Sequence, residues 1–267
     1  PEGDIYLVPL NMVPADMISQ EQEEKGQEES RSISKTRGLE IRRRTTRSYK
    51  RMFKETYQRI INREESDVMR QARKQLRDID NFKAWISDFY RQHEDYFEKN
   101  MLPVLMSFGE AIYGQAASEV GGNTEFTTDA QEFMKEYLIP MMRRHNGTSV
   151  KNLLDTIDEA VENGEDVVES LQSEFDSWVD RAENQASEEV IRAGSAVSKV
   201  AWIAAGVTMI RWVADGEACP YCEELDGKVV GIQSSFVQAG EDFQPDGAEA
   251  GLNPSSNISH PPLHRGC

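Results

Sequence analysis

Apolar residues return every three or four positions along most of this chain, and that spacing constrains its fold more than any other feature. Tyr49, Met52, Phe53, Tyr57, Ile60 and Ile61 make one run. After a polar patch it resumes with Met69, Ala72, Leu76, Ile79, Phe82, Ile86, Phe89 and Tyr90. Residues at these steps share one helical face, so the pattern predicts one long helix, or two in series, from about Leu39. Pro103 disfavours helical backbone at Leu102, which predicts an end or a kink there. A further helix fits 104–120 and stops at Gly121-Gly122-Asn123. Thr128-Asp129-Ala130-Gln131 has the form of a capping box, opening a helix that should bend near Pro140 and end at Asn146-Gly147. A short helix fits 149–161, ending at Asn163-Gly164. The longest covers about 165–205, with Val168, Leu171, Phe175, Val179, Ala182, Ala186, Val190 and Val197 as its stripe.

Beyond Gly206 the character changes. Residues 208–214 and 228–232 are short and β-prone, with a turn-rich segment between them. Residues 233–259 are mostly Gly, Ser, Asn, Asp and Pro, a long loop that needs an anchor at its far end. The expected fold is therefore mainly α: a long-helix bundle with a small C-terminal α+β module carrying a Cys/His cluster. Residues 1–18 read as extended chain, 19–38 as a flexible polar linker, 39–205 as the helical body and 206–267 as the C-terminal module. A chain of 267 residues is long enough for one large domain or two small ones. The opening residues are not a secretory signal, and no apolar run approaches the roughly 20 residues that span a bilayer. The chain reads as a segment of a longer polypeptide, because it stops at Cys267 inside a motif.

Three cysteines near the C-terminus argue against a disulfide framework and for a metal or redox site. Cys219-Pro220-Tyr221-Cys222 is one cluster; His260-Pro261-Pro262-Leu263-His264-Arg265-Gly266-Cys267 is the other. Two thiolates two residues apart can grip one ion from a tight turn, and the second cluster can complete a tetrahedron. Cys219, Cys222, His264 and Cys267 are the favoured zinc ligands, since His264 and Cys267 repeat the i, i+3 spacing; His260 is the substitute. Four strong ligands leave no open position, so such a zinc is structural. Cys-Pro-Tyr-Cys is also the active-site tetrapeptide of glutaredoxins, where the first Cys begins a helix. Here Leu225-Asp226-Gly227 is expected to break such a helix, and the surrounding βαβ pattern is missing. His93 and His145 read as solvated or core histidines. No phosphate loop, H-E-x-x-H or G-x-S-x-G occurs, so no catalytic residue is assigned.

Charge is unevenly spread. Residues 31–77 hold 16 Lys and Arg against 5 Asp and Glu, a net of +11 in a chain of −17, which leaves −28 for the rest. Arg42, Arg43, Arg44, Arg47, Lys50 and Arg51 are candidate contacts to DNA phosphates or an acidic partner; the competing reading is a solvated helix face paired with its own acidic neighbours.

The segment from Trp212 through Cys219-Pro220-Tyr221-Cys222-Glu223-Glu224-Leu225-Asp226-Gly227 to Val230, followed by His260 to Cys267, resembles the C-terminal signature of the phage head-morphogenesis family of Mu F-like minor head proteins. Arg265-Gly266 depart from the usual Pro-Asn but keep the ligand spacing. Gly3-Asp4-Ile5-Tyr6-Leu7-Val8-Pro9-Leu10-Asn11-Met12-Val13-Pro14-Ala15 resembles the C-terminal end of tailed-phage portal proteins. Together these resemblances imply a non-enzymatic structural protein in the virion, inside the phage head, assembled in the host cytoplasm. Its implied partners are portal and capsid or scaffold proteins, with nonspecific DNA contact in packaging or ejection and no membrane. The alternatives are a zinc-dependent or thiol-redox enzyme and a nonspecific DNA-binding module.

Overall fold

The computed structural model describes the backbone of residues 12–14, 28–214 and 218–264, with side chains from residue 41 onward in these ranges, Arg43 excepted. It is mainly helical. Five long helices, α1 (Glu28–Gln75), α2 (Ile79–Gln92), α3 (Glu94–Glu119), α4 (Thr128–Asn163) and α5 (Val167–Ala204), precede a six-residue helix, α6 (Pro220–Leu225). Strands β1 (Met12–Pro14), β2 (Met209–Trp212) and β3 (Val229–Gly231) form a small antiparallel sheet in the order β1-β2-β3. Among the described residues no helix is long and apolar enough to cross a membrane.

Several boundaries differ from the sequence expectation, each for a physical reason. Helix α1 already begins at Glu28, inside the expected linker. Its Glu, Lys and Arg residues lose little rotamer freedom in a helix, so polarity alone did not make this stretch a coil. Pro103, where the sequence predicts an end or a kink, and Pro140, where it predicts a bend, lie inside α3 and α4. A proline removes one helical hydrogen bond, and Met101, Leu105, Leu138 and Met141, all buried, hold the flanking turns. Asn146-Gly147 is not a break either. Asn146 donates from Nδ2 to the Tyr90 carbonyl (3.3 Å), and His145 and Ser149 beside it are buried. The cap of α4 falls one residue early: Thr127 Oγ1 accepts from the Ala130 N–H (3.3 Å), while the Gln131 side chain donates to the Phe126 carbonyl.

The expected stops after α3, α4 and α5 are where the sequence placed them. At the first, Gly121 has φ 68° and the Gly122 N–H reaches back to the Ala117 carbonyl (2.8 Å), a Schellman closure. Residue Asp166 opens α5 by accepting from the Val168 and Glu169 N–H groups (2.8 and 3.0 Å).

The chain divides into two compact units. One comprises Lys50–Met106 and Met134–Ser187; the other comprises Pro1–Tyr49, Ser107–Phe133 and Glu188–Cys267. The residues from Glu188 onward fall in one unit with segments of the helical body. In the first unit Phe53, Ile60, Phe82, Phe97, Leu171 and Trp178 are almost wholly buried. On α5 the stripe runs through Trp178, and the expected Val179 is 58% exposed. Both positions fit the helical period. The larger ring wins because its N–H is satisfied by Glu174 (2.7 Å) and Arg181 lies over its face (4.2 Å). In the second unit the core is built on Trp202, Ile210, Trp212, Phe236 and Val237. Complete burial of each such side chain contributes on the order of 1.5–3 kcal/mol.

Candidate functional site

The Cys/His cluster is assembled by the strand pair and a folded-back loop. Strands β2 and β3 bracket the turn that holds α6, and the Ala214 N–H donates to Asp226 Oδ1 (2.8 Å) to close it. Gly227, at φ 76°, occupies a conformation in which a side chain would be strained. Cys219 caps α6 with extended backbone, its carbonyl accepting the Cys222 and Glu223 N–H groups (2.9 and 3.0 Å). The sequence expectation that Leu225-Asp226-Gly227 cuts short a helix after this cysteine agrees with the structure. Pro220 at the first helical position starts one, and Asp226-Gly227 ends it after six residues.

The loop of residues 233–259 is not held only at its end. It folds back on itself through antiparallel bridges at Val237–Ile258 and Phe243–Leu252. Lys228 Nζ donates to the Phe236 carbonyl (2.6 Å) and Lys199 Nζ to the Ser259 carbonyl (3.1 Å). Phe236 packs edge-on against Trp212 with ring centroids 5.1 Å apart. This return brings the second cluster back to the first. Cys219 Sγ lies 3.0 Å from His264 Nε2, and the Tyr221 ring stands edge-on to His264 at 5.1 Å while its hydroxyl donates to the Ala250 carbonyl. Cys222 is buried and Cys219 half-buried. His260 is placed differently, its Nδ1 donating to the Pro261 carbonyl (2.8 Å).

The chemistry of the donors fits zinc. Ligand bonds of about 2.3 Å to sulfur and about 2.0–2.1 Å to nitrogen in a tetrahedron set the two atoms about 3.5 Å apart, so the observed pair needs to open by only about half an ångström. Among the described residues no three His, Cys, Asp or Glu side chains converge on one metal position. Cys267, the fourth expected ligand, lies outside the described residues.

Compared with protein-family models, curated proteins and solved structures, the chain finds no match.

The basic stretch divides into different environments. Arg42 is not on a solvated face: it is 1% exposed, pairs with Glu119 (2.6 Å) and lies over the Trp202 ring (5.4 Å). It is therefore a packing residue and unsuited to phosphate contact. Burial pushes the Glu119 carboxyl up to about 7, against the opposing charge and hydrogen bond of Arg42. Lys50 pairs with Glu183 (3.3 Å) and Arg51 with Glu55 (2.7 Å), while Arg44 and Arg47 are exposed. The Arg43 side chain lies outside the described residues.

A second polar centre escaped the sequence reading. Glu64, on α1, is fully buried and accepts from His145 Nε2 (2.7 Å) and from the Tyr90 hydroxyl (3.2 Å). His93 Nε2 lies 3.4 Å from the same oxygen that His145 meets. Around this carboxylate Gln185 Oε1 stands 3.1 Å from His145 Nδ1, and Arg181 donates to the His145 carbonyl (3.0 Å) and to Ser149 Oγ (2.9 Å). Burial alone would raise the Glu64 carboxyl; the charge and hydrogen bond of His145, with those of His93, more than offset it and hold it at about 2. A group buried on every side cannot meet a substrate, so this centre organises the helices. The sequence does contain its signal: Glu64 falls at the step that links Ile60 and Ile61 to Val68 on the buried stripe.

Proposed function

We propose that this chain is a structural, non-enzymatic protein of a tailed-phage head, acting in procapsid assembly at or near the portal. Its C-terminal module is closed by a zinc ion held by Cys219, Cys222, His264 and Cys267. The observation that carries this reading is the 3.0 Å contact between Cys219 and His264. It joins the two halves of the motif on which the resemblance to minor head proteins rests, across a loop long enough to make the meeting informative. A zinc with four such ligands supplies a cross-link and no open coordination position for chemistry. The chain's own residues contribute the rest: α6 carries Cys222 one turn from Cys219, and the bridged loop returns His264 to Cys219.

The test is co-purification with portal rings of its own phage. The expected result is retention of the full chain on portal rings or procapsids and loss of that retention for Cys219→Ser. A wild-type chain that sediments apart from both contradicts the proposal.

A further inference from the structure

Strand β2 is paired on both edges, and the two edges are supplied by distant parts of the sequence. On the β3 side the Ile232 N–H donates to the Thr208 carbonyl (2.8 Å), the Trp212 N–H to the Lys228 carbonyl (2.9 Å) and the Gly227 N–H to the Trp212 carbonyl (3.0 Å). Antiparallel bonding alternates along a strand, so Met209 and Arg211 direct their main-chain groups to the opposite edge. There Arg211 stands opposite Val13, with Met12 opposite Trp212 and Pro14 opposite Ile210. Val13 thus occupies the bonded position. Pro14 occupies the one whose nitrogen faces away from β2, where an edge strand tolerates a residue without an N–H. Ile210 and Trp212 are wholly buried on one face of the sheet, while Met209 is 40% exposed. The acceptor strand is therefore anchored in the core whatever lies on its edge.

We propose that this edge of β2 is a docking site for an extended peptide segment, and that its partner is the C-terminal end of a portal subunit, represented in this chain by Met12–Pro14. Main-chain bonds to Arg211 hold the strand, as in other cases of β-strand addition. The partner's identity rests on the phage-head reading; the docking itself is testable without it.

In the full chain, Val13→Pro removes the N–H that meets Arg211. The expected result is about tenfold faster amide hydrogen exchange at Arg211, with Trp212, bonded to Lys228, keeping its protection. That contrast separates undocking from unfolding. A synthetic peptide of residues 1–18 added to this variant restores slow exchange at Arg211, and the same peptide carrying Val13→Pro does not. Unchanged exchange at Arg211 in the variant, failure of the unmodified peptide to restore it, or equal rescue by both peptides overturns the proposal. No portal ring enters the experiment, so a docking failure is distinguishable from a failure of the phage-head reading.

Discussion

Two polar centres, one buried and one half-buried, lie in different compact units and meet their partners in different ways. Around Glu64 the carboxylate is met by His145, Tyr90 and His93, so the charge is balanced by protein groups alone. At Cys219 a thiol meets one imidazole, with the buried Cys222 on the same turn, a donor set suited to a cation that the chain does not itself provide. The difference teaches that burial by itself does not mark a functional site. A closed set of donors and acceptors makes an internal brace, while the Cys219–His264 pair at the end of a loop is the place where we propose an ion.

The largest expected effect comes from breaking the closed centre. His145→Ala leaves a buried carboxylate without its main partner, which costs on the order of 3–5 kcal/mol. Denaturant unfolding should register that loss, and hydrogen exchange should place it in the unit built from Lys50–Met106 and Met134–Ser187. Stability equal to wild type would show that the brace is ornamental.

The pH dependence of the two buried glutamates sharpens the contrast, because their shifts have opposite sign. Glu64 is depressed to about 2, so its stabilising contribution is present above the ordinary carboxylate range near 4.5 and is lost as pH falls toward 2. The full span is worth roughly 3 kcal/mol by linkage. Glu119, raised to about 7, acts in reverse. The folded state prefers its protonated form, so stability is fullest below about 4.5 and declines as pH rises to 7, by a similar order. Protection factors, which remove the intrinsic base catalysis of exchange, followed from pH 3 to 8 should therefore rise around Glu64 as pH rises from acid, and fall around Glu119 above pH 4.5 or so. Parallel profiles would refute the assignment. Glu119→Gln should remove the second slope and leave the first.

The smallest expected effect is at Val179. Its 58% exposure predicts that Val179→Ser changes stability by no more than about 0.5 kcal/mol. Trp178→Ala, one residue away, should cost several times that. Equal losses would mean that the sequence stripe through Val179, and not the observed one through Trp178, describes the buried face.

Much of the helical layout was legible in the sequence, because Leu171, Phe175, Ala182 and Ala186 repeat with the helix period and Gly121 and Gly164 mark chain reversals. The Cys/His pairing was legible for a different reason: its chemistry restricts which residues can take part. For Glu64 only its place on the stripe of Ile60, Ile61 and Val68 was legible; its partner His145, far along the chain, was not. Arg42 was misplaced by the same logic, as nothing local reveals Glu119 and Trp202 around it. Asn146-Gly147 misled because a local breaker carries one or two hydrogen bonds, and tertiary packing on both sides outweighs it.

The central claim is that the C-terminal module is clamped by a metal ion. The most direct measurement is metal content of the reduced, purified chain by mass spectrometry, with Cys219→Ser alongside. The expected result is about one zinc per wild-type chain and none in the variant. No metal in the wild-type protein, or equal metal in both, would contradict it.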